Sequence, residues 1–272
     1  MAGQSSRSAS LISMAPSMTR SRSPTEVASS GPPRRRASCS LVHNSTGRGA
    51  GWFPRTTIPA AGARANAEYG HHVAEIALLA VGDPPGLWND LGFVVDDSAS
   101  WVSGIRHQLG APGKGVVAWT LRGANGLSEL PVAEGTPPAA RPTPDHPNGV
   151  ITLDHVVIGT PDLGRTIDAF ESAGIRLRRT RDSGTPDRPT KQAFFRLGET
   201  IAEIVGSPTG SSPGPARFYG LAFTVADLDA TATFLGDRLR PAKEAVQPGR
   251  RIATLDRAVG SSVPLAFMSG ER

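Results

Sequence analysis

Short stretches in which apolar and polar residues alternate, interrupted by glycine and proline, fill the chain from about residue 75 to its end. Alternation with a period of two predicts strands, whereas apolar residues three or four apart predict a helix that buries one side. Two segments follow the same order: a short apolar strand, an Asp-Leu pair and a helical stripe. The Asp-Leu pairs begin at Asp162 and Asp227, 65 positions apart. This match predicts an internal duplication.

Each predicted helix is followed by three segments rich in β-branched and aromatic residues, which predict strands. They cover 175–181, 192–197 and 200–205 in the first copy, and 240–246, 251–255 and 263–268 in the second. Thr160, before Pro161, is the predicted N-cap of the first helix. The predicted fold class is α+β, with paired βαβββ modules forming a curled mixed sheet around a cleft.

A third, degenerate module is predicted upstream, over residues 74–130. Its expected elements are strands at 75–81, 93–95, 101–108 and 115–122 and a very short helix that opens at Asp83-Pro84. Six prolines within 131–149 predict an extended linker to the paired domain at 150–272. Because an unpaired module exposes one face, we expect it to dock on the pair or on another subunit, as in a homodimer.

Residues 1–72 form a leader rich in Ser, Arg, Gly and Pro without periodicity, which predicts disorder. Three alternatives stay open for it: an organelle transit peptide, a basic arm that touches nucleic acid or anionic lipid, or translated upstream DNA with the true start near Val73.

Charge and cysteine content narrow the class of protein. Residues 1–67 hold nine arginines and one acid, a net charge of +8, so the remaining 205 residues carry −3. A nucleic-acid partner of the folded part is therefore not expected. The longest apolar run, 76–81, is too short to span a membrane, and Cys39 is the only cysteine, which makes the cytoplasm the expected location.

The run Leu-Asp-His-Val-Val-Ile at 153–158, followed by Pro-Asp-Leu at 161–163, resembles the vicinal oxygen chelate superfamily of glyoxalases, bleomycin-resistance proteins and dioxygenases. The resemblance covers roughly residues 151–270. It implies that each module offers a His or Gln on its first strand and a Glu or Gln on its last. A pair of modules then supplies up to four ligands to one divalent metal ion, which acts as a Lewis acid on two neighbouring substrate oxygens.

Carried over to this chain, the resemblance assigns His155 and Glu203 as metal ligands, with Glu203 doubling as a catalytic base. The second module has Gly220 in the histidine position and no carboxylate on its last strand. The cofactor is accordingly either a divalent metal (Zn, Ni, Mn or Fe(II)) or none. In the metal-free alternative, His155 faces the core and is hydrogen-bonded to Glu203. His107 and His146 are weaker candidates for further ligands.

Three functions remain open at this point. The first is a metal-assisted lyase, isomerase or dioxygenase acting on a small substrate with vicinal oxygens. The second is a metal-free small-molecule binding protein whose apolar cleft is lined by Phe194, Phe223 and Phe267. The third is a regulatory or scaffold role. Arginines on the cleft-forming strands, at 176, 178, 179 and 181, favour an anionic ligand if they face the cleft and a solvated surface if they do not.

Overall fold

A computed structural model describes residues 74–124, 127–210 and 212–270. The predicted leader over residues 1–72 therefore lies outside the described residues. The described elements are, in order, β1 (Glu75–Val81), α1 (Pro85–Asp90), β2 (Ala99–Val102), β3 (Ile105–Leu109), β4 (Val116–Arg122), β5 (Val150–Gly159), α2 (Leu163–Ser172), β6 (Leu177–Thr185), β7 (Arg188–Leu197), β8 (Thr200–Gly206), β9 (Arg217–Val225), α3 (Leu228–Leu235), β10 (Lys243–Glu244), β11 (Arg251–Thr254) and β12 (Leu265–Ser269), with short 3₁₀ helices at Gly236–Arg238 and Arg257–Val259.

Strands β5 to β12 form one eight-stranded mixed sheet in the order β10-β11-β12-β9-β5-β8-β7-β6. The two halves are equivalent, because β5 pairs in parallel with β8 and β9 pairs in parallel with β12. They join through the antiparallel pair of β5 and β9. The α+β class and the paired βαβββ modules predicted from the duplication are confirmed. We call residues 150–206 module 1 and residues 217–269 module 2.

The two module helices begin with the same cap. Asp162 accepts a hydrogen bond from the backbone N–H of Arg165, and Asp227 accepts from the N–H groups of Asp229 and Ala230. The prediction of Thr160 as N-cap was wrong, because the Thr160 hydroxyl instead accepts from the N–H of Asp162, one turn before the helix. The Asp-Leu pair that revealed the duplication is therefore the helix start itself.

The first four strands form a separate sheet in the order β2-β3-β1-β4. Its parallel pair, β1 with β3, corresponds to the parallel pair in each later module. The predicted strand at 93–95 is absent from this described sheet, and the predicted strand at 101–108 is a hairpin of β2 and β3. β4 pairs antiparallel with β1, as β9 does with β5. The degenerate module thus lacks one strand and gains one at its other edge.

The eight-stranded sheet has two different faces. One carries Phe195, Phe223 and Phe267, all at most 1% exposed, and packs against the helices and the first sheet. Phe170 of α2 lies 4.6 Å from Phe195, and Trp88 of α1 lies 6.2 Å from Phe223, between ring centroids. The opposite face carries the candidate site. No helix within 74–124, 127–210 and 212–270 is long and apolar enough to cross a membrane.

Candidate functional site

A cavity of about 400 Å³ lies on the face of the eight-stranded sheet that points away from the helices. Both modules contribute to it. Module 1 supplies a polar wall, which consists of His155, Arg179, Arg181, Gln192 and Glu203. Module 2 supplies Ile252, Met268 and the loop residues 245–247. This cavity is the cleft that the paired modules were predicted to enclose.

A β-bulge in β5 decides where the histidine points. The register with β9 shifts between Leu153 and His155, so that Leu153 lies in the core and His155 in the cleft. Regular strand alternation would place Leu153 and His155 on the same face, and the bulge separates them. The same bulge brings Asp154 beside its neighbour, and the Asp154 Oδ2 lies 2.8 Å from His155 Nδ1.

His155 and Glu203, predicted from separate strands, meet in the cleft. The Nε2 atom of His155 lies 3.6 Å from Oε2 of Glu203, and both side chains are 12% exposed. The other oxygen, Oε1, accepts a hydrogen bond of 2.5 Å from the Gln192 amide. Gln192 in turn accepts from Nε of Arg181 at 2.7 Å. The 3.6 Å separation exceeds a hydrogen bond, so a proton can pass between the imidazole and the carboxylate through one bridging water molecule or group.

Module 2 holds the other end of this network. The Nη2 group of Arg250, which is 6% exposed, donates to Asp154 Oδ1 at 2.6 Å and to the Thr224 hydroxyl at 3.1 Å. Its Nε–H donates to the carbonyl of Ser269. Hydrogen bonds and charge from His155 and Arg250 lower the pKa of Asp154, although its burial acts in the opposite direction. Asp154 thus stays an anion that fixes the imidazole ring.

The module 2 side of the cleft is an apolar wall, made of Ala222, Ile252, Ala266 and Met268 with Ala245 packed on them. Of the three phenylalanines predicted to line the cleft, only Phe194 does so. Phe223 and Phe267 face the other side of the sheet, where they pack in the aromatic core. Strand alternation places them there, because Ala222 and Ala266, next to them in sequence, occupy the cleft face.

The residues present do not fit the four-ligand metal centre that the resemblance implies. Within the described ranges no group of three or more His, Cys, Asp or Glu side chains could hold a metal ion. Module 2 supplies apolar side chains where two further ligands would be needed. A Cβ atom built on Gly220 would lie 2.7 Å from the backbone oxygen of Pro264, so a ligand side chain cannot be accommodated at this position without a backbone shift.

Two βαβββ modules that share one sheet and enclose one cleft, with His155 and Glu203 inside it, settle the architecture. This is the arrangement of modules that the resemblance to the vicinal oxygen chelate superfamily implies. No protein-family model and no curated protein matches the chain.

Solved structures with a similar fold include methylmalonyl-CoA epimerases. The enzyme from Mycobacterium tuberculosis is 22% identical, covers 46% of this chain and 91% of its own, and has a TM-score of 0.37. A selenomethionine form of a methylmalonyl-CoA epimerase is 19% identical, covers 45% and 97%, and also has a TM-score of 0.37. A Streptomyces coelicolor variant in complex with 2-nitronate-propionyl-CoA is 18% identical, with 45% and 99% covered and a TM-score of 0.36. The similarity concerns the fold over about half of the chain.

The two further candidate histidines, His107 and His146, lie away from the cleft. His107 is fully buried beside Trp88 and Phe223, and burial lowers its pKa to about 4. His146 accepts a hydrogen bond from the N–H of Val94 through Nδ1, and its Nε2 lies 3.2 Å from the carbonyl of Trp101. Both hold the first sheet and the residues after it in place.

The four predicted arginines, of which Arg176 lies just before β6 and the others lie within it, divide between two faces as strand alternation requires. Arg179 and Arg181 line the cleft, whereas Arg176 and Arg178 do not. Sequence reasoning missed Gln192, Asp154 and Arg250. Asp154 stands next to the predicted ligand in the Leu-Asp-His run, but strand alternation turns its side chain to the opposite face, and only the bulge brings it to His155. Gln192 and Arg250 carry no sequence signal that separates them from other polar residues.

Proposed function

We propose that the chain binds a small anionic molecule with an apolar part in the cleft between modules 1 and 2, and that this binding needs no metal ion. The observation that carries the proposal is the division of the cleft. Charged and hydrogen-bonding groups occupy the polar wall, and alanine, isoleucine and methionine side chains occupy the apolar wall. A ligand with one charged end and one apolar end satisfies both walls.

The cleft is suited in size to such a molecule. Its volume of about 400 Å³ lies within the range of ordinary small-molecule sites, roughly 300–1,000 Å³. The polar side chains that line it are held in place before a ligand arrives, because Glu203, Gln192 and Arg181 are already hydrogen-bonded to one another. A preorganised site of this kind loses less conformational entropy on binding.

The test uses the full-length protein and 8-anilinonaphthalene-1-sulfonate, a fluorescent probe that is anionic at one end and apolar at the other. We expect saturable binding at one site. Val246→Asp places a negative charge at the cleft rim, where Val246 is 49% exposed, and should weaken binding about tenfold. Added Zn, Ni, Mn or Fe(II) should leave the dissociation constant unchanged.

Val132→Asp is the matched control, because Val132 is a 59% exposed valine that does not line the cleft. It should bind the probe as the unmodified chain does. Equal weakening by both variants would place the probe elsewhere and contradict the proposal. Binding that requires an added metal ion and is lost in both His155→Ala and Glu203→Gln would favour the metal-assisted alternative.

A second candidate function is an acid–base enzyme, such as an isomerase or a lyase. One arrangement favours it: Asp154 orients the His155 imidazole, and the imidazole lies 3.6 Å from Glu203. In such a site Glu203 accepts a proton from a substrate carbon next to a carbonyl group. His155 then either donates a proton to the substrate or takes the proton from Glu203.

This candidate is tested by exchange of carbon-bound protons in heavy water. Small carboxylic acids and ketones that displace the fluorescent probe are incubated with the protein, with and without the four metals, and followed by proton NMR. The enzyme hypothesis expects exchange that falls at least a hundredfold in Glu203→Gln. Binding without any exchange would leave the cleft as a binding site only.

A further inference from the structure

We infer that the anionic group of the ligand is a carboxylate that binds to Arg179 and Arg181, with the rest of the molecule extending across His155 and Glu203 to the apolar wall. This inference rests on the proposed function and specifies the ligand class: a monocarboxylic acid with an apolar chain or ring.

Two guanidinium groups meet over one aromatic ring. The Cζ atom of Arg179 lies 4.5 Å from the centroid of Phe194, and that of Arg181 lies 5.5 Å from it. Phe194 is 7% exposed and lines the cleft, so the ring forms a fixed shelf beneath both cations. Stacking on a ring holds a guanidinium in plane and leaves its N–H edge free for an oxygen ligand.

These two cations lack an anionic partner. Among the described side chains, neither Arg179 nor Arg181 makes an ion pair, and the one hydrogen bond of Arg181 to a side chain goes to the neutral Gln192 through Nε. Two like charges side by side repel each other, and a shared anion removes that repulsion. The terminal nitrogens of Arg181 and the whole guanidinium of Arg179 can therefore receive a carboxylate.

The negative groups of the cleft, by contrast, have partners. Glu203 accepts from Gln192 and faces His155, and Asp182 lies 3.6 Å from Lys191. Asp182 and Glu203 also line the cavity, so they repel a doubly charged phosphate more strongly than they repel a monoanion. This difference favours a carboxylate over a phosphate monoester.

Sheet order sets the orientation of the ligand. The strands run β6, β7, β8, β5, so the arginines, Phe194, Glu203 and His155 follow one another across the sheet. Neighbouring strands are about 4.8 Å apart, which puts β6 roughly 10 Å from β8. The carboxylate thus sits several bonds away from the atoms that face Glu203, and the apolar end reaches Ala222, Ile252 and Met268 beyond them.

The experiment measures binding of straight-chain alkanoates of four to ten carbons and of benzoate by isothermal titration calorimetry, each beside its uncharged amide. We expect the best acid to bind at least about tenfold more tightly than its amide. The double variant Arg179→Gln with Arg181→Gln should bind acid and amide equally.

The control is the double variant Arg176→Gln with Arg178→Gln, which removes the same charge from β6 and the residue before it, at two positions that do not line the cleft. It should keep the preference for the acid. The inference is overturned if amides bind as well as acids, if no acid binds, or if both double variants lose the preference equally. If one of these results is obtained while the sulfonate probe still binds saturably, the inference about the carboxylate fails and the proposed function stands. If neither the probe nor any acid binds, both the inference and the proposed function fail.

Discussion

At the scale of single residues, the cleft is asymmetric because module 1 carries a histidine where the backbone of module 2 leaves no space for a side chain. Gly220 occupies, in module 2, the position that His155 occupies in module 1 by the 65-residue offset. A side chain there meets Pro264, whose carbonyl also accepts a hydrogen bond from the N–H of Leu221. The close approach of β12 to β9 thus excludes a second histidine sterically.

Gly220→Ala tests this crowding. Its Cβ would lie 2.7 Å from one backbone oxygen and 3.3 Å from the Pro264 Cβ, so the strands must separate. We expect the free energy of unfolding in urea to fall by about 1–3 kcal/mol. Gly159→Ala is the matched control, because Gly159 is also a strand residue and a Cβ on it meets no atom within 4 Å. Similar losses in both variants would mean that strand glycines, not crowding, determine the effect.

Some residues of the site could be predicted from the sequence and others could not. His155 and Glu203 were predictable, because a motif and strand alternation suffice to place them. Asp154 was not, since alternation alone turns it away from its neighbour and only the bulge brings it back. Arg250 reaches Asp154 across 96 positions of the chain, and such a contact depends on the packing of the two modules.

At the scale of elements, the first sheet contributes an aromatic cluster with a histidine in it. His107 of β3 has ring centroids of Trp88 and Phe223 within 5.7 Å. Burial lowers its pKa to about 4, which outweighs the opposing effect of the backbone groups of Ser100 and Ile105. The folded chain therefore holds His107 neutral, whereas the unfolded chain protonates it near pH 6.5.

The consequence is a loss of stability on acidification. Because the unfolded state binds the proton more tightly, the stability present above pH 6.5 decreases as the pH falls toward 4, by up to roughly 3 kcal/mol for His107. His107→Leu should flatten this part of the stability curve, measured by urea unfolding at several pH values. The slope should not vanish, because His146 also has a lowered pKa. Gln108→Leu, one residue along β3, should keep the original slope; a change of slope there would contradict the assignment.

The sequence pattern predicted some of the helices and strands correctly and others not. The duplicated strands and helices follow from alternation and the Asp-Leu caps, so modules 1 and 2 were predictable. The interior of the degenerate module was not. Residues 93–95 alternate like a strand, yet the N–H of Val94 donates to His146 and the N–H of Phe93 to Trp88, which removes them from the sheet.

At the scale of the whole described chain, the two sheets share one core. A continuous cluster of buried residues runs from Ile76 and Trp119 in the first sheet to Phe223 and Phe267 in the second. A polar contact lies at this interface, where the carboxylate of Asp83 is 2% exposed. It accepts hydrogen bonds from the Ser261 hydroxyl at 2.6 Å, the Ser262 hydroxyl at 2.5 Å and the Ser262 N–H at 2.7 Å. The first sheet is thus bound to the strand β12 that carries part of the apolar wall.

Asp83→Ala tests whether the sheets fold as one unit. It removes the acceptor of the buried Trp88 indole N–H and of the N–H and hydroxyl of the half-buried Ser262, which should lower the free energy of unfolding by roughly 3 kcal/mol. With a shared core, the loss should appear in one transition, at the same urea concentration for both sheets.

Tryptophan fluorescence in a Trp52→Phe background follows Trp88, Trp101 and Trp119 in the first sheet, and amide hydrogen exchange in β12 follows the second. Asp237→Ala, at an exposed residue of a 3₁₀ helix, should leave the midpoint unchanged. Separate transitions in Asp83→Ala would show instead that the paired modules are stable without the first sheet, and the cleft would then be independent of it.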